Sequence, residues 1–78
     1  MNKQETIKAF IQKKIGENVS FKNDDDIFKL GLVNSLFALE LVVYLENTFT
    51  IEVNNEDLDL NNFKSVENLS AFVDRKTA

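Results

Sequence analysis

Histidine and cysteine are both absent from this 78-residue chain, so carboxylates, lysines, a single tyrosine and hydroxyls are left for acid, base or nucleophile work. No autonomous enzyme is expected from that inventory. A hydroxyl that accepts a group from another enzyme needs far less. Of the four serines, Ser20 lies in a stretch without helical period, while Ser65 and Ser70 belong to the last helical stretch. Ser35 alone combines a preceding glycine, Gly31, with the start of a long amphipathic segment. A helix start offers unpaired backbone N–H groups and the positive end of a dipole, and both suit a phosphate ester on Ser35. Gly31 lets the chain bend closely without a Cβ penalty, and Leu30 and Leu32 are expected to pin the loop to the bundle. As a residue type that caps helices well, Ser35 is also read as the N-cap.

The acidic run Asp24, Asp25 and Asp26 is the other place to look for chemistry. An EF-hand beginning at Asp24 requires glycine where Lys29 stands and glutamate where Ser35 stands, so the calcium motif fails. A solvated turn or cap is the expected role, and no metal site is assigned.

The positions of the apolar residues then define the elements that present Ser35. Ile7, Phe10, Ile11 and Ile15 recur at helical spacing, and Gly16 is placed to end that helix behind Lys13 and Lys14. From Gly16 to Asn34 no period persists, which predicts a long anchored loop with room for a turn of helix near Asp26 to Leu30. Ser35 to Phe49 is the strongest helical segment. Steps of 100° put Ala38, Leu41, Val42, Leu45 and Phe49 on one arc, the expected buried face, with Phe37 and Tyr44 closing one edge of it. Leu36, Leu39 and Val43 fall roughly opposite, flanked by Glu40 and Glu46. This second strip is read as a partner-binding face of those five residues, the competing reading being that the loop folds over it. Ile51 and Val53 read as an extended connection, and Asn55 to Leu58 as the acidic start of a short third helix. Ser65 is expected to cap a fourth helix with Val66, Leu69, Phe72 and Val73 facing inward. The fold class is therefore all-α, a small four-helix bundle with a long loop between helices 1 and 2 and a short third helix, and residues 1–78 are expected to form one domain.

The stretch Phe28, Leu30, Gly31, Leu32, Val33, Asn34, Ser35 and Leu36 resembles the acyl and peptidyl carrier proteins. Their attachment motif reads Leu-Gly, two residues, then Ser-Leu, usually with aspartate before the serine. Leu41, Leu45, Glu46 and Phe49 match the family's second helix, and Asn62, Phe63, Ser65, Val66 and Leu69 its C-terminal pattern. The resemblance implies a non-catalytic carrier in which Ser35 receives 4′-phosphopantetheine from coenzyme A through a phosphopantetheinyl transferase. Loading and acyl-processing enzymes (synthase, ligase or acyltransferase) then act on the thioester, and the second helix is where they dock. The segment from Gly31 to Phe63 is more similar to discrete carriers of polyketide and nonribosomal peptide assembly, extender-unit carriers included, than to fatty-acid carriers. Asn34 departs from the usual aspartate and removes a charge that a partner's cation would engage. The alternative is a small helical interaction module with no prosthetic group.

Composition bounds the partners. The formal charge is −4, with Lys3, Lys8, Lys13 and Lys14 gathered near the N-terminus and Glu52, Glu56, Asp57 and Asp59 later. Nucleic acid is not expected, and an acidic domain is steered toward basic protein patches. No apolar stretch approaches the roughly 18 residues of a membrane span, and no secretion signal is visible. A soluble, cytoplasmic monomer with no membrane partner is the expectation, held together by packing alone because neither a disulfide nor a structural metal is available.

Overall fold

The computed structural model describes residues 2–77 and shows four α-helices, with no strand among those residues. They are α1 (Lys3–Ile15), α2 (Ser35–Phe49), α3 (Leu60–Phe63) and α4 (Val66–Thr77). Helix α1 starts on Asn2, whose side chain accepts from the Gln4 and Glu5 amides, and it stops at Gly16 with φ 103°. Only glycine takes that angle without strain. Ser65 caps α4 as expected, its Oγ accepting from the Asn68 amide at 3.1 Å.

One core joins all four helices: Ile7 and Ile11 from α1, Phe37, Leu41 and Leu45 from α2, Phe63 from α3, and Val66, Leu69, Phe72 and Val73 from α4. The inward stripes expected of α1 and α4 are therefore observed. For α2 the buried face is rotated. Phe37, Leu41 and Leu45 are the buried residues, while Ala38, Val42 and Phe49 are half-buried, a turn of about 50° from the expected arc at 100° per residue. The cause is α1. Phe10 stacks on Tyr44 with ring centroids 3.9 Å apart and lies parallel to Phe37 at 5.8 Å, which draws that edge of α2 inward.

The long loop is anchored by side chains and backbone together. Phe21 and Ile27 enter the core. Ile27 N–H donates to the Lys64 carbonyl at 2.8 Å, and Glu67 N–H donates to the Asn23 carbonyl at 2.9 Å, tying the loop to the start of α4. Gln12 clamps its beginning by donating to the carbonyls of Gly16 and Val19. Between Asp26 and Leu30 the chain makes one helical turn, closed by the Leu30 amide donating to the Asp26 carbonyl at 3.0 Å, and it does not continue as a helix. Leu32 packs on the core, but Leu30 is 57% exposed, so only one of the two leucines expected to pin the loop does so.

The third helix is short, as expected, and begins later than its acidic signal suggested. Asn55–Asp57 form a 3-10 turn, because the Asp57 carboxylate turns back to accept from the Asn54 amide at 2.9 Å. Asp59 then caps α3 by accepting from the Asn61 amide. No helix among the described residues is long and apolar enough to cross a membrane.

Candidate functional site

Helix α2 begins one residue after its cap, and that cap is Asn34, not Ser35. Asn34 Oδ1 accepts from the Leu36 amide at 3.0 Å and the Phe37 amide at 3.3 Å. Both residue types cap well, and geometry decides between them: Asn34 is extended at φ −103°, ψ 176°, as a cap must be, whereas Ser35 is the first helical residue. The consequence favours chemistry. The exposed Ser35 hydroxyl is outside the cap and can be esterified without unmaking it. Asparagine replaces aspartate here at no loss of capping, so what changes is charge.

Three residues, Leu32, Val33 and Asn34, separate Gly31 from Ser35, one more than the motif described above. The loop takes up this spacing in a turn where the amides of Leu32 and Val33 both donate to the Ile27 carbonyl, at 3.0 and 3.3 Å. Since Ile27 is fully buried, the segment before Ser35 hangs from a fixed point in the core. Gly31 adopts φ 75°, a left-handed angle that the turn demands and other residues take only with strain. Asp26 holds the preceding turn by accepting from the amides of Phe28 and Lys29, and Asp25 accepts from Lys22. Two of the three consecutive aspartates thus have structural roles.

Leu36, Leu39 and Val43 are 68%, 59% and 57% exposed, so the loop does not cover them. Glu40 stands on the same side and pairs with Lys14 of α1 at 3.2 Å. Glu46 turns away, its carboxylate accepting from the Val53 amide at 2.9 Å to fix the connection after α2. Two neighbours went unrecognised in the sequence: Leu58 and Leu60, half-exposed, line a groove of about 110 Å³ with Ala38, Leu39, Val42 and Phe63. Their alternation with Asp57 and Asp59 was the available signal, but it reads equally well as the start of a helix.

A fixed, exposed hydroxyl at the first turn of a helix, an anchored glycine loop behind it and an apolar strip beside it are the geometry of a protein that carries a group for others. Residues 5–73 match the family described as phosphopantetheine attachment site. The chain belongs to that family of carrier proteins, which bind 4′-phosphopantetheine and serve as substrates of partner enzymes without catalysing reactions themselves. It is similar to the D-alanyl carrier proteins of Streptococcus pyogenes serotype M5 (strain Manfredo) and serotype M1. Each is 40% identical over 53 residues, which is 68% of this chain and 67% of the relative. No solved structure matches the sequence.

Proposed function

We propose that residues 1–78 form a single carrier domain that holds an aminoacyl group as a thioester on 4′-phosphopantetheine attached to Ser35 Oγ. The observation that carries the attachment is the displacement of the cap to Asn34, which leaves Ser35 exposed at the helix start where a phosphodiester meets the dipole favourably. An aminoacyl cargo, D-alanyl in particular, is favoured by the likeness to the D-alanyl carriers. The polyketide, nonribosomal-peptide or fatty-acid setting expected from the sequence has no comparable support. Leu36, Leu39 and Val43, with Glu40 and Glu46 at their margin, are the proposed face for the transferase and for the ligase that loads the thioester.

Incubation with coenzyme A and a broad transferase should add one phosphopantetheine by intact mass, and Ser35→Ala should abolish the addition. Addition to that variant would refute the assignment. Offering the holo protein D-alanine and malonyl donors with their respective loading enzymes then separates aminoacyl from extender-unit carriage.

A further inference from the structure

The chain's net charge of −4 is not carried to the face beside Ser35. Of 13 carboxylates only Glu40 and Glu46 stand on α2, and both are engaged, Glu40 with Lys14 at 3.2 Å and Glu46 with the Val53 amide at 2.9 Å. Asn34 is neutral where the carrier motif usually has aspartate. Cations approach from α1 instead. Lys13 and Lys14 share one hollow with Phe10 and Glu40, and Phe10 shares the next with Leu39, Val43 and Tyr44. Lys13 is exposed, and none of the ion pairs among the described residues includes it. This edge is fixed to the strip: Phe10 stacks on Tyr44 with centroids 3.9 Å apart, and the Tyr44 hydroxyl donates to the Thr6 carbonyl at 3.3 Å. On the opposite side Leu39 shares a groove with Leu58 and Leu60, whose neighbours in sequence, Glu56 and Asp59, are exposed. The strip of Leu36, Leu39 and Val43 thus lies between a basic edge and an acidic one.

We propose that the docking face extends onto α1 and that Lys13 and Lys14 receive carboxylates of the enzyme that loads the thioester, an inference that rests on the carrier reading above. An apolar centre with a polar rim is the usual anatomy of a protein contact. Here Leu39, Val43 and Phe10 supply the centre, and Lys13 supplies an unpaired charge on the rim. Lys14 is already paired, but each member of its pair is about half exposed, 49% and 51%, so trading Glu40 for a partner carboxylate costs little. The opposed edges give the contact a direction, since an enzyme turned end for end would set its carboxylates against Glu56 and Asp59. A transferase that serves several carriers cannot depend on one carrier's rim charges, whereas the enzyme that selects the cargo can. An anionic lipid surface is the poorer match, because its recognition takes clusters of about four to eight basic residues and this edge has two.

The test uses holo protein whose single phosphopantetheine is confirmed by intact mass, titrated into the loading reaction with whichever of the D-alanine and malonyl loading enzymes accepts it. Lys13→Glu should raise the KM for holo protein about tenfold at low ionic strength with kcat unchanged, and the difference should close at about 1 M salt, where the Debye length is about 3 Å. Lys13→Gln should move KM the same way by less. Lys22→Glu makes the same change in net charge at an exposed position outside this face and should leave KM near the parent's. Glu40→Gln frees Lys14 and should lower KM.

A fall in KM for Lys13→Glu, or a rise for Glu40→Gln, means that the enzyme is basic there and overturns the proposal. An equal rise for Lys13→Glu and Lys22→Glu also overturns it, because the effect would then be one of net charge. So does an unchanged KM for Lys13→Glu; retention of the parent but not of that variant on phosphatidylserine vesicles would then assign the edge to a membrane. Failure of the transferase to load Ser35 in the parent would show instead that the carrier reading is wrong, and this inference would fall with it.

Discussion

Leu36 and Phe37 are neighbours in sequence and opposites in environment: one is 68% exposed, the other 2%. Carried along α2, the same division separates Phe37, Leu41 and Leu45, which hold the bundle together, from Leu36, Leu39 and Val43, which touch little of it. Both sets are equally apolar, so hydrophobicity alone does not distinguish a core residue from a contact residue. What distinguishes them is which neighbouring element meets each face. Helix α1 brings Phe10 to the Phe37 and Tyr44 edge, and the other face stays exposed among the described residues.

The largest effects should come from the buried side. Phe37→Ala is expected to cost about 3 to 5 kcal/mol and Leu45→Ala about 2 to 5 kcal/mol, much of a small domain's total. Phe49→Ala should cost less than Phe37→Ala, since Phe49 is only half-buried. Urea midpoints of the three variants check the rotation of α2; equal losses at Phe37 and Phe49 would restore the unrotated arc.

A second contrast, between Asn34 and Ser35, separates support from chemistry. Asn34→Ala removes the cap and should destabilise by about 0.5 to 2 kcal/mol, whereas Ser35→Ala should leave the thermal midpoint close to the parent's. If Ser35→Ala proves the costlier change, the serine is the cap after all and esterification must disturb the helix.

Smaller again is the effect expected at Asp57, which ties the segment before α3 to α4 through Lys76 at 2.7 Å. A hydrogen bond from Lys76, and after it one from the Asn54 amide, holds the Asp57 carboxyl below the usual carboxylate range. A carboxyl depressed in the folded state contributes fully above its unfolded pKa of about 4, and that contribution is lost as pH falls through the folded value. Asp57→Asn should therefore lower stability near neutrality, and the gap to the parent should narrow in acid. Urea unfolding at about pH 7 and about pH 2 would show it.

These contrasts also mark what the sequence reveals. The periods of α1 and α4, the glycine that stops α1 and the uncovered strip of α2 are all legible, because each depends on local spacing and residue type. The rotation of α2 is not, since it is decided by where Phe10 arrives from a different helix. Nor is the cap: asparagine followed by serine offers two good candidates, and the backbone angles choose. The third helix was misplaced because Asp57 suits a helix start and a capping turn equally. The pattern around Ser35 is legible in the sequence, whereas the Lys14–Glu40 and Phe10–Tyr44 pairings between α1 and α2 have no local signal to announce them.

The smallest change in stability, and the sharpest test of the division, belongs to Val43. At 57% exposure its side chain has little burial to lose, so Val43→Ala should unfold at nearly the parent's temperature. An enzyme that docks on the strip would bury the same methyl groups, and an apolar anchor contributes in the complex even where it contributes little in the free protein. The rates of phosphopantetheine transfer and of cargo loading should therefore fall for Val43→Ala while its melting curve stays in place. Both measurements are made on one preparation. A variant that melts early would mean that the strip is part of the core, and one that melts and loads like the parent would mean that partners dock elsewhere.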